Sequence, residues 1–328
     1  MNICIIGDGL TSLSLAKNLI NKKINVHIYC KNKIENFSSS RTVGISKNNL
    51  EFFRKEIHKL SKKIFWEIKK IEIYSDKLEK ENLLSFEKEK DELFYMVKNS
   101  KLYLSLMNEI SNSKYFKKKL IKNDDFCGNI LKKKYDLIIN CNANNFFSNK
   151  FFSKKIEKNY NNVAYTTILK HKKIKNNIAT QVFTKNGPIA FLPIANNETS
   201  VVCSLDTQSR KYKNSDILDL INKNNPKYQI KEILELSKFK LSSSNLRNYY
   251  HKNILAFGDL LHRIHPLAGQ GFNMTIRDIK VLSEIIQKKI DLGMQIDSSI
   301  LSDFEKETKN KNFLFSNSVD FIYEVFNF

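Results

Sequence analysis

Nine glycines occur in 328 residues, and five of them gather into two groups: Gly7 with Gly9, and Gly258 with Gly269 and Gly271. A chain with under half the usual glycine share of about 7% keeps glycine where a side chain would obstruct the backbone. The first group lies in Gly7-Asp8-Gly9-Leu10-Thr11-Ser12, directly after the apolar run Asn2–Ile6. A strand-to-helix turn of this kind lets the backbone approach a pyrophosphate, whose charge the helix N-terminus stabilises. The second group follows Ile254–Phe257. Gly258-Asp259 puts a carboxylate at a strand end, placed to accept hydrogen bonds from sugar or ribityl hydroxyls. Further on, Pro266-Leu267-Ala268-Gly269-Gln270-Gly271-Phe272-Asn273 turns into a helix and presents backbone N–H groups to an anion. Glycine turns at opposite ends of the chain imply one ligand held by both.

The elements that must position these turns are legible from periodicity. Leu13, Ala16, Leu19 and Ile20 recur at helical spacing after the first turn, and Ile24–Tyr29 is a second apolar strand, which completes a β-turn-α-β unit. Two positions depart from a dinucleotide fingerprint. Ser12 stands at the third glycine position. Cys30 ends the second strand, where an acidic residue would bind a ribose diol, so adenosine binding is expected to be weakened and Cys30→Glu to tighten it. After the second turn, Ile276, Ile279, Leu282, Ile286 and Ile290 mark the apolar stripe of a helix. Its N-terminal dipole suits an anion such as the N1–C2=O edge of a reduced flavin.

The stretch from Gly258 to Met274 resembles the second flavin-binding motif of the class A flavoprotein monooxygenases, the para-hydroxybenzoate hydroxylase superfamily, and within it the ubiquinone-biosynthesis hydroxylases. Arg41-Thr42-Val43-Gly44-Ile45-Ser46 is similar to that family's arginine-led strand, and Val97-Lys98-Asn99 to its helix entry. Gly187 to Ile194 resembles its G-P-x-A-x-L-P strand pair, and the segments at 302–305 and 308–326 its C-terminal helix. Leu137-Ile138-Ile139-Asn140-Cys141-Asn142-Ala143 stands where the family carries an Asp-Gly after an apolar strand, so Asn142 keeps the shape without the charge.

The resemblance implies an α/β fold: a Rossmann-like FAD-binding domain (1–70, 99–150 and 253–328) interleaved with an antiparallel-sheet substrate domain (71–98 and 151–252). Short alternating runs such as Ala164–Leu169 and Thr199–Leu205 suit that second domain. It further implies FAD as cofactor and NAD(P)H as co-substrate, with O₂ adding at flavin C4a and the hydroperoxide hydroxylating a polyprenylated phenol in ubiquinone biosynthesis. Carried over position by position, the flavin contacts are Gly7, Gly9, Ser12, Cys30, Arg41, Asn142, Gly258, Asp259, Pro266, Gly269, Gln270, Gly271 and Asn273. No protein side chain is required as the catalyst. His265 is the candidate for contact with substrate or flavin, against a role in holding the turn. Two other classes stay open on the same fold: a flavin-poor accessory subunit of a quinone-synthesis assembly, and a reductase.

Composition bounds these readings. At 41% hydrophobic and 27% charged residues the chain is an ordinary folded protein. No apolar run approaches the roughly 20 residues of a membrane-spanning helix, and the start reads as a buried strand, so a cytoplasmic protein is expected. The net charge of +21 invites nucleic acid, but only six of the 55 basic residues are arginine and no basic–aromatic stacking pattern accompanies them. Lysines spread over solvated faces suit weak attraction to an anionic membrane surface instead. Cys4, Cys30, Cys127, Cys141 and Cys203 are scattered and odd in number, which argues for reduced thiols, and His262 with His265 lacks a third ligand for a metal. Arg277 and Asp278 read as a salt-bridged helix surface.

Overall fold

The computed structural model describes residues 1–31, 40–75, 82–87, 92–121, 128, 130–131, 133–208, 210–264 and 270–326. Cys127, His265, Pro266 and Gly269 lie outside them.

Near-continuous apolar strands form the centre of a six-stranded sheet, as expected of strands covered on both faces. Asn2–Ile6 lies at its centre, pairing parallel with Asn25–Cys30 on one side and Leu137–Asn140 on the other. Phe116–Leu120 extends the sheet beyond Asn25–Cys30, and Ile254–Ala256 extends it beyond Leu137–Asn140, again in parallel. The short strand Tyr250–His251 closes that edge antiparallel. Helix Leu10–Asn21 buries Leu13, Leu15, Ala16, Leu19 and Ile20 against the same core that takes Ile276, Ile279, Leu282 and Ile286 of helix Gln270–Asp291.

The alternating runs pair as expected, Ala164 opposite Ser204 and Leu169 opposite Thr199, within a nine-stranded, mostly antiparallel sheet. One face of this sheet (Tyr165, Leu169, Ile189, Phe191, Val201, Cys203, Leu205) is covered by Ile217 and Ile221 of helix Asn214–Asn224. The segment expected as a strand pair is one strand, Gly187–Ala195, entered through a tight hairpin after Ile178–Thr184. Gly187 has φ +122°, and a Cβ there would lie 2.1 Å from the Ser204 carbonyl oxygen, so a side chain is excluded.

A third, smaller sheet accompanies these two. Thr42–Ser46, Phe94–Lys98 and Trp66–Ile68 form a three-stranded sheet, so 71–98 is divided: Lys70–Ser75 and Asn82–Glu87 join the large sheet and Phe94–Lys98 does not. This small sheet is tied to the large one. Thr42 Oγ1 donates to Ser200 Oγ at 2.9 Å, Lys98 pairs with Glu198 at 2.8 Å, and the Arg41 guanidinium lies 5.5 Å from the centre of the Phe239 ring. No helix among the described residues is long and apolar enough to cross a membrane.

Candidate functional site

Three parallel strands end side by side at Ile6, Asn140 and Ala256, and the turns that follow them define the site. The chain leaves Ile6 through Gly7, whose φ of +109° is left-handed and whose N–H donates to the Tyr29 carbonyl at 2.8 Å. Gly9 caps helix Leu10–Asn21 without any side-chain hydrogen bond, and no acid stands in the first helical turn. A Cβ on Gly9 would meet nothing within 4 Å. The positive helix end thus has neither a side-chain cap nor an acid in its first turn, and no described residue crowds Gly9. That combination suits a phosphate.

The second turn closes directly on the first. Phe257 N–H donates to the Asn140 carbonyl at 2.9 Å, and Gly258 then takes φ +64°. A Cβ on Gly258 would stand 2.6 Å from Thr11 Cγ2, so glycine here is required by helix Leu10–Asn21 itself. Asp259 is exposed and lies close enough to Cys141 to act on its thiol. Burial, with Asp259's charge adding, pushes that thiol up to about 12, while the Ser12 hydroxyl opposes the shift. Gly7, Gly9, Ser12, Gly258 and Asp259 are thus brought to one place. Gln270 and Gly271 begin helix Gln270–Asp291, and a Cβ at Gly271 too would meet open space.

Other carried-over residues have structural uses. Asn142 spends its side-chain oxygen on the Asn144 N–H at 2.8 Å, inside an asparagine-rich loop braced by Asn140, Asn145 and Ser148. Asn273, 4% exposed, accepts from Ser46 N–H and from Asn49 Nδ2, and donates to the Gly44 carbonyl at 2.8 Å. It staples the start of its helix to strand Thr42–Ser46. Cys30 is buried at the end of strand Asn25–Cys30, and Arg41 is exposed, over Phe239.

Two features were not anticipated. Asp278 is not on a salt-bridged surface: it is 1% exposed, accepts from His262 Nε2 at 2.5 Å, and holds Asn312 Nδ2 at 3.1 Å. Arg277, its chain neighbour, points elsewhere and lies over the Phe315 ring at 4.1 Å. The stripe Ile276, Ile279, Leu282 leaves position 278 just beyond its edge, so periodicity alone does not mark it as buried. The other feature is Lys118, which reaches Asp8 in the first glycine turn at 3.0 Å. Among the described residues no cluster of His, Cys, Asp and Glu is arranged for a metal. A surface cleft of about 660 Å³ along Tyr250, His251, Glu305 and Lys309 contains none of the residues carried over as flavin contacts.

Known proteins resemble this chain in sequence and in fold. Residues 152–308 match the family model described as FAD binding domain. The mitochondrial ubiquinone biosynthesis monooxygenase COQ6 of Dictyostelium discoideum is 26% identical over 183 residues, covering 44% of this chain and 37% of that protein. The 3-demethoxyubiquinol 3-hydroxylase of Escherichia coli K12 is 30% identical over 152 residues, covering 44% and 39%. The matches thus span well under half the length of these relatives. In fold, Pseudomonas aeruginosa PqsL in complex with 2-aminobenzoylacetate superposes with a TM-score of 0.79 at 12% identity, over 100% of this chain and 96% of that one. The tetrameric 2-methyl-3-hydroxypyridine-5-carboxylic acid oxygenase gives 0.74, also at 12% identity, over 98% and 90%.

Proposed function

We propose that this chain is an FAD-dependent hydroxylase of an aromatic ring, a monooxygenase of class A using NAD(P)H and O₂. The substrate is a polyprenylated phenol of ubiquinone biosynthesis. The observation that carries this reading is the closure of Gly258 onto Thr11, which joins the two ends of the chain around one uncapped helix N-terminus. The residues fit the cofactor. The backbone from Gly7 to the first turn of helix Leu10–Asn21 would hold the pyrophosphate, Asp259 the hydroxyls of the linking chain, and the start of helix Gln270–Asp291 the anionic edge of the ring system.

Bound FAD supplies the redox and oxygen-transfer chemistry. The chain orients it and shelters the substrate from water. The face of the large sheet opposite helix Asn214–Asn224 carries Ala164, Thr166, Val202 and Phe239 side by side, toward Arg41 and Thr42. Thr166 Oγ1 is buried there without a hydrogen-bond partner among the described residues. A wall of Ala164, Val202 and Phe239 interleaved with the hydroxyls of Thr166, Ser204 and Ser237 suits a phenol ring. A prenyl tail would remain in lipid, and two surface features support work at an anionic membrane: the net charge of +21 and the exposed Phe313, Leu314 and Phe321 of the C-terminal helix. A quinone-biosynthesis assembly is the further partner this reading implies.

The purified protein is expected to be yellow and to oxidise NAD(P)H faster with a prenylated phenol than with a small soluble one. It should bind anionic vesicles at low salt and release them at high salt. Asp259→Ala is expected to weaken FAD about tenfold to a hundredfold, the loss of hydrogen bonds to a charged acceptor. Full activity on para-hydroxybenzoate without vesicle binding would overturn the quinone substrate, and a colourless protein that takes up no FAD would overturn the enzyme.

A further inference from the structure

The first glycine turn carries an acid that its backbone role does not require. Asp8, between Gly7 and Gly9, is 7% exposed, and its Oδ2 lies 3.0 Å from Lys118 Nζ. Lys118 belongs to strand Phe116–Leu120, which stands on the far side of Asn25–Cys30 from Asn2–Ile6. The register pairs Ile28 with Lys118 and Cys30 with Leu120. The Asp8–Lys118 pair therefore arches across the end of the middle strand, over Cys30. Both groups act on the Cys30 thiol, which burial first and the Asp8 charge next push up to about 11. Cys30 is a neutral thiol at physiological pH and supplies no anionic acceptor.

We propose that the Asp8 carboxylate, oriented by Lys118, is the acceptor for the adenosine ribose hydroxyls of the bound flavin dinucleotide, replacing an acid at position 30. This rests on the flavin reading above. The parts are suited to it in three ways. A carboxylate that gives one oxygen to an ammonium keeps acceptor sites for hydroxyl donors. The end of strand Asn25–Cys30 is where a ribose lies when the pyrophosphate occupies the helix N-terminus. The Lys118 charge cancels the repulsion that a bare carboxylate beside the phosphates would cause. The acid has moved from the strand end to the turn, by a path that crosses one strand.

The arrangement reverses the effect expected of Cys30→Glu. With Asp8 in place, a glutamate at position 30 sets two carboxylates together, so FAD binding weakens. In an Asp8→Gly background the same substitution restores an acid to the strand end.

The test is equilibrium binding by the apoprotein of FAD, and of ADP and 2′-deoxy-ADP as competitors, with thermal unfolding as the control for folding. Asp8→Asn is expected to raise the Kd for FAD about tenfold or more and to remove the preference for ADP over 2′-deoxy-ADP. The pair Asp8→Gly with Cys30→Glu is expected to regain both. Wild-type affinity and preference in a folded Asp8→Asn protein would overturn the proposal and leave the flavin reading standing. A failure of the paired variant to regain FAD affinity beyond Asp8→Gly alone would overturn it as well. Wild-type protein that binds neither FAD nor ADP would overturn the flavin reading, and this subsite with it.

Discussion

The two glycine turns stand side by side at the ends of parallel strands, yet they are held in different ways. The first is mostly backbone: Gly7 in a left-handed conformation, an uncapped helix end, and one ion pair, Asp8–Lys118, across its rim. The second is held by side chains. Asn273 fixes the start of its helix to Gly44, Ser46 and Asn49, while His262, Asp278 and Asn312 tie the chain after Gly258 to two helices. The difference teaches where the molecule places its rigidity. The residues described on either side of the second turn, 258–264 and 270–273, are built into the core, whereas the first turn is held by backbone bonds and one ion pair.

The comparison breaks most severely at Asp278. Asp278→Ala leaves His262 and Asn312 buried without their partner and is expected to cost about 3 kcal/mol, since removing one member of a buried charged network leaves the others with their full desolvation penalty. Denaturant midpoints measure it, and Asp278→Asn should lose less because an amide oxygen still accepts. Asn273→Ala follows: it removes the hydrogen bonds to Ser46, Asn49 and Gly44 together, for an expected loss of about 2–3 kcal/mol. If either variant unfolds at the wild-type midpoint, the second turn is not the rigid one.

Gly258→Ala sharpens the contrast, because it strikes the contact between the turns. A left-handed φ costs an L-residue about 1–2 kcal/mol, and the new methyl would meet Thr11 Cγ2 at 2.6 Å. Combining it with Thr11→Ala removes the clash and leaves the dihedral cost. Stability should therefore recover in part, to a midpoint between the single variant and wild type.

Much of this was legible in the sequence because it is local. The strand–turn–helix at Gly7, the strand leading to Gly258 and the alternating runs of the large sheet all follow from period and glycine placement. What escaped was set by partners far away in the chain. The type of Asn273 matched a flavin-contact position, but its bonds go to residues near position 45, a pairing no spacing reveals. Asp278 was read through its neighbour Arg277, although adjacent helical residues diverge. Asp8 passed as a spacer between two glycines. Only the register of Phe116–Leu120 against Asn25–Cys30 shows that a lysine waits for it.

The smallest expected effect concerns that lysine. Burial alone would lower the Lys118 pKa, but the hydrogen bond and charge of Asp8 outweigh it and hold the ammonium above its ordinary value. A group whose folded pKa is raised contributes stability that is fully present below its unfolded value, about 10.4 for lysine, and loses it as pH rises through the folded value. Lys118→Met should therefore cost the apoprotein only about 1 kcal/mol near neutrality, as for a partly screened pair. The gap to wild type should stay level through neutral pH and close above about pH 10.4. A gap that persists unchanged into strong alkali would show that the stem of Lys118, packed at the strand edge, and not its charge, steadies the first turn. In that case the first turn would resemble the second more than its geometry implies.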